Sequence, residues 1–313
     1  MKPLTNMFLR ACTDAAVACH PWIGKGDKVS ADAAAVEAMR SVFNNYQFTG
    51  RIVIGEGERD EAPMLFIGEQ VGQAQEDGER IDIAVDPLEG TSLCARAAPG
   101  AICVAAFAPA GQLLHAPDVY MEKLAVGPKC SLEVSDLDDD IISVAHRVAD
   151  QLNKPLQELK ACLLNRPRHE DMITRLQAAG VQLSLIDDGD VIGALRCALD
   201  PEHDAAVDLY VGTGGAPEGV LAATGLSALG GNMLGKLVFS NQQQRDRAQE
   251  MGLSDVNQVF TETQMAGSNG VLVATGVTDG DILDAVTKID NVYHTHSMII
   301  SKQGIDFQRG HTL

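Results

Sequence analysis

Apolar positions along the 313 residues recur in two alternating rhythms. A helical spacing of three and four runs through Asn6 to Ala18 and again through Val36, Met39 and Phe43, where Ser30 or Asp32 is positioned to cap the helix. Between such stretches stand short β-branched runs that predict strands: Arg51 to Ile54, Ile81 to Val85, Ala101 to Phe107, Ala161 to Leu164, Gln182 to Ile186, Val207 to Val211 and Val271 to Ala274. Further helices are predicted over Glu61 to Val71, Asp138 to Leu152, His169 to Ala179, Asp190 to Leu199, Glu218 to Leu229 and Asp281 to Lys288. Strands alternating with helices imply an α/β class built in layers. The Gly/Pro-led acidic stretch Pro128 to Asp140 is the natural boundary, giving lobes at 1–135 and 136–313. Asp138, Asp139 and Asp140 read as a solvated helix start, favoured by the helix dipole.

Composition narrows the function. Lys and Arg number 24 against 43 Asp and Glu, a net charge of −19 that repels polyanions. With 4% aromatic residues there is little material for base stacking either, so no nucleic-acid partner is expected. Seven cysteines without CxxC spacing, and a start from Met1 to Arg10 without an apolar signal core, point to free thiols in the cytoplasm. The longest apolar stretch, Ala101 to Ala110, falls short of the roughly 18 residues that a membrane span needs.

Two acidic clusters carry the chemistry. Gly55-Glu56-Gly57-Glu58-Arg59-Asp60-Glu61 follows a predicted strand directly, and its crowded carboxylates suit either an exposed acidic turn or a cation site. Asp86-Pro87-Leu88-Glu89-Gly90-Thr91 emerges from a second strand, with two carboxylates able to face one point and the amides of Gly90 and Thr91 available to an anion. Metal beside phosphate is the grammar of phosphoryl chemistry. Asp187-Asp188-Gly189-Asp190 is not a calcium loop, because the glycine falls too early and no glutamate closes it.

The motif Asp86 to Thr91 resembles the DP(I/L)(D/E)G(T/S) signature of the lithium-sensitive, metal-dependent phosphomonoesterases. Further segments resemble one branch, the class II fructose-1,6-bisphosphatases and their fructose/sedoheptulose-bisphosphatase relatives. They are Gly24 to Lys28, Ala31-Asp32, Val53 to Leu65, Ala116 to Leu124, Arg166 to His169, Asp188 to Val191 and Gly214 to Val220. The resemblance implies a layered sugar-phosphatase fold of helices and mixed sheets, and removal of the C1 phosphate of fructose 1,6-bisphosphate or sedoheptulose 1,7-bisphosphate in carbohydrate metabolism. It implies two divalent ions, Mn²⁺ or Mg²⁺, with Asp32 and Glu56 on one and Asp86, Glu89 and Glu218 on the other. It implies a substrate set of Glu89, Gly90, Thr91, Tyr120, Arg166, Pro167, Arg168, Asp188, Gly189, Asp190 and Gly215, and a homodimer or homotetramer.

In that reading two ions about 3.5–4 Å apart activate water for in-line attack, and Thr91, oriented by Asp60 or Glu58, positions or deprotonates the water. Arg166 and Arg168 form a compact pair of guanidinium forks for a phosphate, Lys123 or Lys28 adds positive charge, and Asp190 both accepts a sugar hydroxyl and caps the next helix. Cys94 and Cys103 are expected in the core, and His294 and His296 on a strand surface rather than on a metal. Two alternatives remain: a phosphatase for inositol phosphates or nucleotide bisphosphates, and a non-catalytic cation-binding protein. A glycosidase would be expected to carry aromatic platforms that this chain lacks.

Overall fold

The computed structural model describes residues 2–57, 64–73 and 80–312. The chain divides into two compact units, Met1–Leu113 with Asn269–Leu313, and Leu114–Ser268. The boundary expected at residue 135 falls inside the second unit, and the C-terminal segment returns to the first because its strands complete that unit's sheet.

In the first unit the chain runs α1 (Lys2–Cys19), α2 (Lys28–Asn44), β1 (Thr49–Ile54), β2 (Gln70–Val71), β3 (Arg80–Glu89), α3 (Thr91–Arg96) and β4 (Ile102–Pro109). The second unit follows with β5 (Tyr120–Val126), α4 (Ile141–Gln151), β6 (Lys160–Leu164), α5 (Glu170–Ala178), β7 (Gln182–Ile186), α6 (Asp190–Leu195), β8 (Leu209–Gly215), α7 (Ala216–Leu229), β9 (Asn232–Val238), α8 (Gln242–Glu250), β10 (Val259–Thr261) and α9 (Glu262–Ala266). The chain then re-enters the first unit as β11 (Val271–Gly276), β12 (Thr287–Ile289), β13 (Val292–Ser301) and β14 (Gly304–Thr312).

Among the described residues the first unit's sheet has eight strands, seven in the order β12-β13-β11-β4-β3-β1-β2, with β14 also paired to β13. Only β1 and β3 pair in parallel within it. Helix α1 buries Met7, Phe8, Ala11, Cys12, Ala15, Ala16 and Cys19, a stripe at helical spacing that lies on β4 and β11. Phe8 stacks on Phe107 at 4.4 Å and tilts against Phe43 at 5.1 Å, locking both helices to the sheet.

The second sheet has six strands, β10-β9-β5-β8-β6-β7, parallel on its β6 side and antiparallel around β5. Leu124, Val126, Leu163, Leu209 and Val211 face Val144, Ala145 and Val148 of α4 in one core. The layered α/β class therefore stands.

Several local expectations change. The helix predicted over Glu61 to Val71 is replaced, in its described part, by turns that end in β2, because Gly68 adopts φ 94° and its amide bonds back to the carbonyl of Ile52. The helix predicted over Asp281 to Lys288 is absent: the amide of Asp284 donates to His296 Nδ1 and that of Ala285 to Asp279 Oδ1, diverting donors that a helix would need. Helix α2 is capped by Asp27, whose carboxylate accepts from the Ser30 amide at 3.0 Å and hydroxyl at 2.7 Å, so neither Ser30 nor Asp32 is the cap. At α4 the acidic run does what was expected of it: Asp140 accepts from the amides of Ile142 and Ser143.

Candidate active site

In the first unit the acidic residues come from the C-terminal ends of the parallel neighbours β1 and β3. Ile54 is level with Ala84, and two residues further on stand Glu56, just past the end of β1, and Asp86, still within β3. Gly55 before Glu56 is dictated by contact, since a Cβ there would lie 2.0 Å from the carbonyl oxygen of Leu65.

The arrangement of Asp86 and Glu89 follows from a bulge. Residues three apart on a regular strand point to opposite faces. Here Asp86 pairs with Val104 and Glu89 with Ile102, so three steps on β3 match two on β4, and the additional residue returns both carboxylates to one face. Pro87 lies inside this bulge, where no ladder donor is required, and Asp86 Oδ1 accepts from the Leu88 amide at 3.2 Å. Gly90 then adopts φ 82°, a left-handed conformation that turns the chain directly into α3 with Thr91 as its first residue. The amides of Leu93 and Cys94 close that first turn on the Gly90 carbonyl at 2.8 and 3.0 Å.

Asp32 sits in the first turns of α2, which packs on α3 and β3. Its carboxyl is half-buried, and burial raises its pKa above the ordinary range. Glu58 and Asp60, expected to orient the attacking water, lie outside the described residues.

The second unit gathers the remaining predicted residues around β8. Gly214 and Gly215 pass so close to two carboxylates that a Cβ at Gly214 would lie 1.9 Å from Asp190 Oδ2, and one at Gly215 2.0 Å from Glu218 Oε2. These glycines form a cradle that only a missing side chain allows. Among the described residues Glu218 Oε2 is buried without a hydrogen-bond partner. Burial, reinforced by the nearby charge of Asp190 and opposed by Lys123, pushes the carboxyl's pKa up to about 7.

Asp190 is not the cap of α6. Gly189 occupies that position, in a left-handed conformation, and Asp190 as the first helical residue turns inward to Lys123 Nζ at 2.6 Å and the Tyr210 hydroxyl at 3.4 Å. Lys123 and Asp190 are only 1% and 5% exposed, so Lys123 does not project toward solvent as an additional phosphate cation. Removing either partner would leave a buried charge alone, at a cost of about 3–5 kcal/mol. A signal for this lay in the sequence: on β5 the strand period puts Lys123 on the same face as Met121 and Ala125, and a buried ammonium demands an acid.

Arg166 and Arg168 stand at the start of a single 3-10 turn, Pro167–His169. Arg168 Nε donates to the Thr213 carbonyl at 2.8 Å while its guanidinium lies 5.1 Å from the centre of the Tyr120 ring, which is 50% exposed. Arg166 keeps a longer contact of 3.9 Å with Asp188, whose own carboxylate accepts from the Gly189 amide. The structure thus brings Tyr120, Arg166, Pro167, Arg168, Asp188, Gly189, Asp190, Gly215 and Glu218 into one unit, and Asp32, Glu56, Asp86, Glu89, Gly90 and Thr91 into the other.

Among the described residues no three His, Cys, Asp or Glu side chains are gathered tightly enough to hold a metal ion. The donor chemistry of each unit nevertheless fits a hard cation: the half-buried Asp32 and the same-face pair Asp86 and Glu89 in the first, and Glu218 in the second, are all carboxylates. All seven cysteines, Cys94 and Cys103 included, are buried and free, and burial pushes the Cys94 thiol up to about 12, away from the thiolate that a nucleophile needs.

Comparison with known proteins agrees with this chemistry. Residues 2–309 match the family described as "Bacterial fructose-1,6-bisphosphatase, glpX-encoded". The chain is 41% identical to fructose-1,6-bisphosphatase 1 class 2 of Escherichia coli (strain K12), over 96% of this chain and 91% of that protein. It is 40% identical to fructose-1,6-bisphosphatase class 2 of Haemophilus influenzae, over 96% and 92%. It is 39% identical to D-fructose 1,6-bisphosphatase class 2/sedoheptulose 1,7-bisphosphatase of Trichodesmium erythraeum, over 95% and 91%. With its signature bulge, its carboxylates and near-complete coverage in agreement, the chain belongs to the bacterial, glpX-encoded fructose-1,6-bisphosphatase family.

Proposed function

We propose that this chain hydrolyses the C1 phosphate of fructose 1,6-bisphosphate to give fructose 6-phosphate and inorganic phosphate, and accepts sedoheptulose 1,7-bisphosphate as a second substrate. The observation that carries the reading is the bulge that turns Asp86 and Glu89 to one face immediately before Gly90 and Thr91, in a chain of this family.

Divalent ions, Mn²⁺ or Mg²⁺, held by Asp32, Glu56, Asp86, Glu89 and Glu218, would neutralise the reacting phosphate and acidify a bound water. Thr91, at the start of α3 and oriented by Asp60 or Glu58, positions that water or takes its proton. The water oxygen bonds to phosphorus as the bond to the C1 oxygen breaks, and the proton lost by the water is returned, by exchange with solvent, to the departing C1 alkoxide. The carboxylates are committed to the reacting end, which leaves Arg166 and Arg168 for the phosphate that is retained. Their charge matters in a protein of net charge −19, which would otherwise repel a bisphosphate. The exposed Tyr120 ring restrains Arg168, whose guanidinium lies 5.1 Å from its centre. Asp188 offers a carboxylate for sugar hydroxyls.

No helix among the described residues is long and apolar enough to cross a membrane. Seven free thiols support a reducing cytoplasm as the working compartment. A homodimer or homotetramer is the proposed assembly.

Product identity tests the reaction. Purified protein with Mn²⁺ or Mg²⁺ is expected to release one phosphate per fructose 1,6-bisphosphate and to leave fructose 6-phosphate, with inositol 1-phosphate a poor substrate. Accumulation of fructose 1-phosphate, or preferential turnover of inositol 1-phosphate, would overturn the assignment.

A further inference from the structure

His169 has no role in the chemistry above, yet it is 2% exposed and both of its ring nitrogens are engaged. The Thr213 amide donates to Nε2 at 2.8 Å, so Nε2 carries the lone pair and the ring proton sits on Nδ1, which donates to the Leu164 carbonyl at 2.8 Å. His169 therefore ties the end of β6 to the middle of β8, and the loop carrying both arginines is strung between those ties. Its own amide closes the loop by donating to the Arg166 carbonyl at 2.8 Å, and Arg168 Nε grips the carbonyl of the same Thr213 whose amide the imidazole holds. Gly212 leaves room for the ring, since a Cβ there would come within 3.0 Å of His169 Cε1.

We infer that His169 is a positioning residue for substrate recognition: by fixing Thr213 and Leu164 it sets the spacing of Arg166 and Arg168 that receives the retained phosphate. The inference rests on the reading of the chain as a sugar bisphosphatase. A buried histidine that only held the fold together would affect every substrate alike. One that sets the arginine pair affects ligands according to whether they carry the second phosphate. Its loss weakens binding that is equal in ground and transition states, which raises KM and spares kcat.

The test compares His169→Ala, His169→Gln and Gly212→Ala with the parent enzyme, using metal-loaded protein of confirmed melting behaviour. His169→Ala is expected to raise KM for fructose 1,6-bisphosphate about tenfold and to weaken inhibition by fructose 6-phosphate by a similar factor. It is expected to leave kcat, and kcat/KM for fructose 1-phosphate, within about twofold. Glutamine offers one donor and one acceptor and is expected to recover part of the loss. Gly212→Ala, which presses on the ring without removing it, supplies the same split if the alanine variant does not fold. An equal change for fructose 1,6-bisphosphate and fructose 1-phosphate, or no change in either, would overturn the role of His169. Failure of the parent enzyme to hydrolyse fructose 1,6-bisphosphate would instead bring down the bisphosphatase reading, and this inference with it.

Discussion

Glu218 is held where an acid is unfavourable without a cation. Its Oε2 has no hydrogen-bond partner among the described residues, and burial beside Asp190 lifts the pKa from the ordinary 4.5 to about 7. A carboxyl whose pKa is raised by folding is protonated more readily in the native state, so its contribution is whole below about 4.5 and is lost as pH climbs to about 7. Metal-free Glu218→Gln, which mimics the neutral form, is expected to melt like the parent at low pH and about 2–4 °C higher at pH 8, the shift of roughly 1 kcal/mol in a domain of this size. Adding Mn²⁺ should reverse the order, because only the parent gains the ligand-linked stabilisation. Gly215→Ala places its methyl on that same carboxylate and is expected to weaken metal affinity about 10–100-fold, read by calorimetric titration. The acid and the glycines beside it were legible from the motif Gly214 to Val220, and the strand period marks Lys123 as buried, whereas the pairing of Lys123 with Asp190 was not legible. Strand packing brings these residues together across long stretches of chain, and one-dimensional spacing does not encode that proximity.

Helix α2 holds two acids in opposite environments. Asp27 holds the Ser30 amide and hydroxyl, which keeps its carboxyl below the usual range, while burial does the opposite to Asp32 five residues on. Asp27→Ala is therefore expected to lower the melting temperature by a few degrees with kcat unchanged, and Asp32→Asn to leave the fold intact while metal-dependent activity collapses. Equal effects from both would contradict the division of labour. Elements with a clean period, such as α1 and β7, were readable from their apolar spacing. Strand β5 was not, because Glu122 and Lys123 interrupt its apolar run, and Lys123 is tolerated inside only because Asp190 neutralises it. Helix α3 was missed because its six residues follow a left-handed Gly90 and are too short to show a period.

At the scale of the molecule, the chain leaves the first unit after β4, builds the second between Leu114 and Ser268, and returns with four strands to finish the first sheet. A boundary read from local composition cannot reveal such a return, since the Gly/Pro-led acidic stretch marks only the approach to α4 within one unit. The layered class was legible because most strands and helices announce themselves locally, and the family because its signature is supported by further short segments from Gly24 to Val220. The account as a whole holds that Asp86 and Glu89, set on one face by the bulge in β3, make this protein a metal-dependent sugar bisphosphatase. Its most direct test is phosphate release from fructose 1,6-bisphosphate by chelator-stripped protein before and after Mn²⁺ or Mg²⁺ is restored, alongside Asp86→Ala. The account predicts no turnover without metal, full turnover on its return, and a loss of at least about 10²-fold in the variant with the fold preserved. Turnover that survives both the chelator and the substitution would contradict it.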